Sequence, residues 1–200
     1  MKKMNIKDIT LSAMFIALGL ILPLFTGQIP KIGSMMLPMH IPVLLCGLIC
    51  GWKYGMTVGF ITPILRSFTF GRPVLFPSAV AMAFELATYG FVIGYIFSKV
   101  KYRCIYTLIF SLSISMVCGR VVWAIVSFLF YNLQGNSFTW QLFVSGAFVS
   151  AIPGIILQFV LIPSVMILLS KAGFIQWTNK HKIMNQVFLH NDKKNRQPLE

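Results

Sequence analysis

Side chains that could bind a small polar ligand are few in this chain, and they stand inside long apolar runs. Arg66, Glu85 and Arg120 are the ionisable residues of these runs. A charge inside a membrane costs a few kcal/mol or more, so such residues face a protein interior or a wet cavity and find a partner. At 1.5 Å per helical residue, all three fall in the expected outer half, as do His40 and Gln158. The pattern predicts one polar pocket there.

Aromatic side chains share the helix faces of these charges. Tyr89 lies one turn beyond Glu85, and Trp123 follows Arg120 by three residues. An apolar, aromatic pocket with a few converging polar groups is typical of a small-molecule site. Because two arginines and one glutamate leave one positive charge, the hypothesis is a small monoanion, or a ligand with one carboxylate or phosphate held by an arginine.

A short loop rich in proline, residues 71–77, precedes the helix that carries Glu85. Its two prolines make it stiff enough to act as a lid. Arg72 and Phe76 on this loop are therefore further candidates for contact with the ligand.

Structural roles compete with this interpretation. Glu85 and Arg120 could form a purely structural ion pair, with Arg66 reaching the lipid headgroups. His40 could cap its helix at the membrane interface without touching a ligand. Loss of affinity on replacing Arg120 by Ala would separate the two interpretations.

The composition determines the class of protein. Of 200 residues, 57% are hydrophobic and 10% charged, and the mean hydropathy is +0.80. These values exclude a soluble domain, and the length allows about six short spans with no separate catalytic domain. The fold class is all-α, a polytopic membrane protein with a six-helix bundle. Residues 1–172 are predicted to form the membrane domain and 173–200 a basic cytoplasmic tail.

The apolar runs predict the helices. Five are expected over residues 9–25, 40–50, 54–70, 78–97 and 105–131. Residues 138–169 are long enough for a short outer helix and a full span, with a break near Pro153. A tight turn over residues 51–55 separates the second helix from the third.

The net charge of +13 is a topology signal and does not indicate nucleic-acid binding. Thirteen basic residues fall in connections on one side, and only Lys31 and Arg72 on the other. The thirteen are Lys2, Lys3, Lys7, Lys53, Lys99, Lys101, Arg103, Lys171, Lys180, Lys182, Lys193, Lys194 and Arg196. The positive-inside rule then predicts a multi-pass protein with both termini in the cytoplasm. Two lysines precede the first apolar run without a cleavage site, so it is interpreted as a retained helix.

Metal and cofactor chemistry is not expected. Cys46 and Cys50 are one helical turn apart, but no His or carboxylate follows at metal spacing. Together with Cys104 and Cys118 they are interpreted as free thiols.

Three features together resemble the S component, the substrate-binding membrane subunit, of an energy-coupling factor (ECF) vitamin transporter. One is the pair Ala13 and Ala17 in the first helix; another is the block His-Ile-Pro-Val-Leu-Leu-Cys-Gly at 40–47, followed by glycines at 51, 55 and 59. The third is the six-span plan. The resemblance covers about residues 5–172, and Cys46 stands where the block usually has Ala.

The resemblance implies a high-affinity binding subunit in a prokaryotic plasma membrane. Two ABC ATPases would power import through a transmembrane coupling protein, which the alanine pair would contact. The chain itself has no phosphate-binding loop of the G-x-x-x-x-G-K-[ST] type. One excess positive charge favours the anionic vitamin pantothenate, while other vitamins, vitamin precursors and queuosine precursors stay open.

Two other classes of membrane protein, enzymes and stand-alone carriers, fit the sequence less well. Membrane prenyl or phosphatidyl transferases need clustered Asp residues for Mg²⁺, and the spans contain no Asp. An intramembrane serine protease needs a Ser–His pair in the core of the membrane, whereas His40 is at its rim. The chain is therefore predicted not to be an enzyme. A stand-alone secondary carrier would show internal repeats and an ion relay, for which one carboxylate is thin support.

Overall fold

The computed structural model of the chain describes residues 6–26, 38–100, 104–133 and 152–172. This part contains six α-helices and no strand. The helices are α1 (Ile6–Thr26), α2 (His40–Ile49), α3 (Trp52–Phe70), α4 (Val80–Lys99), α5 (Ile105–Leu133) and α6 (Ile152–Lys171). A wide turn, Leu75–Ala79, leads into α4 and contains one extended residue, Phe76 (φ −124°, ψ 131°).

Four of these segments are long and apolar enough to cross a membrane: Ile6–Phe25, Leu75–Lys99, Ile105–Leu133 and Ile152–Lys171. The chain is therefore a multi-pass membrane protein, and its described part is all-helical. α2 has ten residues and spans only about 15 Å at 1.5 Å per residue. The expectation of six complete spans, and that of cytoplasmic termini, stay predictions.

The predicted topology has a direct test at Cys104, just before α5. The Thr107 hydroxyl, whose Oγ1 lies 3.2 Å from Cys104 Sγ, lowers the pKa of this thiol. A lower pKa keeps more of the reactive thiolate at neutral pH. With the other three cysteines replaced by Ala, we expect a membrane-impermeant maleimide to label inside-out vesicles and not intact cells. Labelling of intact cells would mean that the orientation in the membrane is the opposite of the predicted one.

α4 is the central helix, because it packs against α2, α3 and α5. Small residues allow the close approach. A Cβ added to Gly90 of α4 would collide with the Gly55 carbonyl group of α3, and one added to Gly59 would collide with the Leu86 carbonyl. A Cβ on Gly55 would come within 2.6 Å of Gly47 Cα in α2. Without a hydrophobic driving force between helices in lipid, such backbone contact is a main source of helix association.

Replacing Gly59 by Leu is expected to destabilise the bundle by about 1–3 kcal/mol, because the added side chain must displace backbone of α4. The measurement is the temperature at which the detergent-solubilised protein loses its monodisperse peak. Val117→Leu, at a side chain that is 65% exposed on α5, is the matched control and should leave this temperature unchanged. Equal temperatures for G59L and wild type would contradict the close packing.

The turn between α2 and α3 is shorter than the sequence predicts. Gly51 has φ 99°, a conformation that glycine adopts without strain, and α3 begins at the next residue, Trp52. Residues 52 and 53, expected in the turn only, therefore belong to the first turn of α3. Pro153 is the second residue of α6, where a missing N–H costs no helical hydrogen bond.

The remaining helices complete the bundle. α1 packs against α2 and α3, and α6 against α2 and α5. The core contains apolar side chains from all six helices. The predicted short outer helix after Phe138 and the predicted basic tail, residues 173–200, lie outside the described residues.

Candidate substrate-binding site

A buried ion pair joins α4 to α5. Glu85 Oε1 lies 3.2 Å from Arg120 Nη1, with the Glu85 side chain 3% exposed and the Arg120 side chain 13% exposed. Tyr89, one turn further along α4, donates its hydroxyl to the same carboxylate oxygen at 2.9 Å. A buried ion pair contributes little net stability, but removal of one partner leaves an uncompensated charge and costs about 3–5 kcal/mol.

His40 extends this group from the first residue of α2. Its Nε2 lies 3.8 Å from Glu85 Oε1, which is too long for a hydrogen bond, and its ring centroid is 5.2 Å from that of Tyr89. We call His40, Glu85, Tyr89 and Arg120 the polar cluster. It connects α2, α4 and α5 inside the bundle.

Gly119 gives the Tyr89 ring its space, because a Cβ at this position would collide with the ring. Replacing Gly119 by Ala should therefore push Tyr89 away from Glu85 and loosen the polar cluster. We expect the retention of copurified ligand to fall about tenfold, since one buried hydrogen bond contributes about 1 kcal/mol and the ion pair shifts with it. Mass spectrometry of the purified variant measures this; Cys118→Ala, on the neighbouring residue, is the control. Unchanged retention in G119A would mean that Tyr89 has no role in binding.

Several nitrogen atoms of the cluster, and one on α6, are buried without a hydrogen-bond partner in the described part of the chain. They are His40 Nδ1 and Nε2, Arg120 Nε and Nη2, and Gln158 Nε2. Each unsatisfied buried polar group costs about 1–3 kcal/mol. Gln158 is 1% exposed and lies on α6, which packs against the helices that carry His40 and Arg120. Such a concentration of unused donors is typical of a site whose partners come from a ligand or water.

A cleft of about 220 Å³ lies along the seam between α4 and α5. Its lining residues are Pro77, Ser78, Ala81, Met82, Trp123, Ser127 and Tyr131. Ala81 precedes Glu85 by one turn, and Trp123 follows Arg120 by about one turn, so the cleft begins one turn from the ion pair on both helices. The volume is below the range of about 300–1,000 Å³ usual for drug-sized ligands, which fits a small nutrient.

Comparison with known proteins assigns the family. The profile of the family described as "ECF transporter, substrate-specific component" matches residues 7–166. The chain belongs to this family. No curated protein and no solved structure matches the chain. The matched segment contains every described helix except the ends of α1 and α6, so the resemblance to an S component is confirmed.

Membership determines the class of function. S components are the substrate-specific subunits of transporters and associate with ECF partners and a substrate. The family consists of transporter components and not of enzymes. Within the described part of the chain, no group of three or more His, Cys, Asp or Glu residues could hold a metal ion.

Of the three charges predicted to converge, the structure of this S component joins two. Arg66 donates from Nη1 to the Leu20 carbonyl of α1 at 3.0 Å, and its guanidinium lies 5.6 Å from the Phe70 ring. These contacts of Arg66 therefore lead to α1 and to its own helix. The polar cluster contains one arginine and one glutamate, so their formal charges cancel instead of leaving one positive charge.

The loop residues sit apart from the polar cluster. Arg72 is exposed, and the Phe76 ring packs 4.9 Å from the ring of Phe130 on α5. Pro77, the end of the predicted lid, lines the cleft together with Trp123. The predicted lid thus borders the cleft through its last residue.

Apart from Trp123 and Pro77, the end of the predicted lid, sequence reasoning missed the residues of the cleft. One signal was available on α5, since Arg120, Trp123, Ser127 and Tyr131 recur at intervals of three and four residues and share a face. Ser127 is only 2% exposed, and a buried hydroxyl in a lipid-facing helix marks the inner face. Met82 carried a signal of the same kind, because it precedes Glu85 by three residues and therefore shares the face of that carboxylate.

The alanine pair lies on the outside of the bundle. Ala13 and Ala17 are exposed on α1, whereas Ser12 and Phe15 are buried against the other helices. The pair forms a shallow strip on which another helix could approach closely. It is available to a partner in this S component.

Proposed function

We propose that this S component is the high-affinity binding subunit of an ECF-type ABC importer for a vitamin or a related small nutrient. It would reside in a prokaryotic plasma membrane and present its cleft to the outside. The single observation that carries the proposal is the pair of buried, unpartnered nitrogens of Arg120, about one helical turn from the cleft of an S-component chain. In this scheme His40, Glu85, Tyr89, Arg120, Trp123 and Gln158 form the substrate site, with Arg66, Arg72 and Phe76 at its margin.

Energy would come from partners. A transmembrane coupling protein would contact the exposed strip at Ala13 and Ala17, and two ABC ATPases would supply ATP hydrolysis. This division of labour is supported by the absence of a phosphate-binding loop from the sequence and by the accessibility of both alanines.

Pantothenate is the candidate to test among vitamins. The support from net charge is weaker than the sequence suggested, because Arg66 contacts α1. What remains in favour of an anionic vitamin is Arg120, a buried cation with two unused nitrogens. Neutral vitamins, vitamin precursors and queuosine precursors are the alternatives that the same experiments would reveal.

Uptake with and without the coupling module tests the proposal. The chain is expressed alone, or with an ECF coupling protein and its two ATPases, in cells that lack their own transporter for the nutrient. We expect retention of the nutrient by the chain alone, and concentrative uptake only when the module is present. Full uptake by the chain alone would overturn the proposal and favour a stand-alone secondary carrier.

A further inference from the structure

The geometry of Arg120 points to the chemical class of the ligand and to its orientation. We infer that the ligand carries a carboxylate, which binds the Nε–Nη2 edge of Arg120, while its remaining part extends along the cleft towards Tyr131. This inference rests on the proposed function, because it concerns the same site. It adds which end of the ligand enters the bundle first.

The guanidinium of Arg120 has two edges, and only one is used. Nη1 contacts Glu85, whereas Nε and Nη2 are buried without a partner in the described residues. Nε–H and Nη2–H project in parallel, at a separation that matches the two oxygens of a carboxylate. A single carbonyl oxygen would have to accept from both donors at bent angles, whereas two oxygens accept one straight hydrogen bond each. A two-oxygen acceptor therefore fits the edge better than a neutral amide or alcohol.

Glu85 and Tyr89 keep the guanidinium in place. The Tyr89 hydroxyl donates to the carboxylate oxygen that Arg120 contacts, so this oxygen is held from two sides. An arginine fixed in this way loses less rotamer freedom when the ligand arrives. Glu85 is then a positioning residue that acts through Arg120, and its negative charge opposes that of the incoming carboxylate.

Further donors are available from two other helices. Gln158 Nε2 on α6 and the ring of His40 on α2 are buried, and neither has a hydrogen-bond partner in the described chain. Neutral imidazole offers one N–H, and the Gln158 amide offers two. The unpartnered buried groups on α2, α5 and α6 are thus mainly donors, which suits an acceptor-rich carboxylate.

The cleft determines where the rest of the ligand goes. Its walls on α5 are Trp123, Ser127 and Tyr131, which extend about 16 Å beyond Arg120 at 1.5 Å per residue. On α4 the cleft runs from Ala81 back to the wide turn. A ligand anchored at Arg120 therefore has its apolar or aromatic portion beneath Trp123 and its far end near the opening.

The test compares three matched pairs of probes: pantothenate and panthenol, nicotinate and nicotinamide, and biotin and biotinamide. Stabilisation of the purified full-length chain against heat is measured for each compound, together with mass spectrometry of any compound that copurifies. We expect at least one carboxylate to bind about 100-fold more tightly than its uncharged counterpart, because that counterpart leaves a buried donor unpaired. A derivative extended at the end opposite the carboxylate should still bind.

Variants check the assigned edge. Arg120→Lys keeps the charge but removes the fork, and we expect it to lose most of this preference. Glu85→Gln keeps an acceptor for Tyr89 and Arg120 while it removes a like charge, so affinity for the carboxylate should stay equal or rise. Lys53→Gln, at an exposed cation of α3 that belongs to no proposed site, should behave as wild type. A fall in affinity in E85Q would mean that Glu85 itself contacts a donor or cation on the ligand, and would overturn the inference.

The two proposals fail separately. A copurified nutrient without a carboxylate, imported only with the coupling module, would overturn the inference and leave the importer function intact. Carboxylate binding accompanied by full uptake in the absence of the module would overturn the importer function and leave the inference intact. Equal binding of every carboxylate and its counterpart would also overturn the inference.

Discussion

Replacing Arg120 by Met is expected to reduce the amount of copurified ligand about 100-fold or more. Charge-assisted hydrogen bonds contribute about 1.5–3 kcal/mol each, and 1.4 kcal/mol is a factor of ten in affinity. The same change also leaves Glu85 buried and unpaired, so the variant should be about 3–5 kcal/mol less stable. Mass spectrometry of the purified protein and its melting temperature measure the two effects.

A double variant separates binding from folding. Glu85→Gln combined with Arg120→Met removes both charges, and we expect it to recover much of the lost stability without recovering the ligand. If the ion pair were purely structural, the double variant would retain the ligand once its stability returned. Ligand retained at the wild-type level in the double variant would therefore exclude Arg120 from the site.

Replacing both Ala13 and Ala17 by Leu is expected to lower uptake strongly while ligand retention stays at the wild-type level. Both alanines are exposed on α1, so larger side chains have space in the isolated chain. They would, however, hold a partner helix away from the close approach that small residues permit. Uptake with the coupling module should fall about tenfold or more, since overpacking of an interface typically costs 1–3 kcal/mol, about one to two factors of ten.

The matched control for this prediction is Ser164→Leu. Ser164 is a small, exposed residue on α6, and its hydroxyl bonds only to the Val160 carbonyl of its own helix at 2.6 Å. The substitution adds similar bulk to another membrane-facing surface. Loss of uptake in both variants would indicate a general effect of surface bulk. Normal uptake in the variant that replaces Ala13 and Ala17 would mean that the coupling protein binds another surface.

Helix boundaries follow from the sequence because they depend on local features. α5 and α2 begin at the predicted residues, Ile105 and His40, since apolar runs and their polar ends are visible without tertiary structure. α3 begins two residues earlier than predicted, at Trp52. The reason is conformational: a single glycine at positive φ reverses the chain, and its neighbours are free to be helical.

The membership of the candidate site followed only partly from the sequence. Helical periodicity correctly placed Tyr89 beside Glu85, because residues four apart on one helix share a face. The pairing of Glu85 with Arg120 was a reasonable expectation, because a charge in an apolar bundle is costly unless it is paired with the opposite charge. Charge alone did not determine which of the two arginines would pair with Glu85. Arg66 donates to the Leu20 carbonyl instead.

By itself, the amino-acid sequence determined the class of the protein, its helices and the scarcity of its buried charges, because these depend on composition and on short-range periodicity. The tertiary structure decided which charges meet, which donors are left without partners and where the cleft lies. These features depend on how the helices rotate and cross. Backbone contacts at Gly55, Gly59 and Gly90 set this for α2, α3 and α4, and the contact of Gly119 with the Tyr89 ring sets it for α5, in each case between residues far apart in the chain.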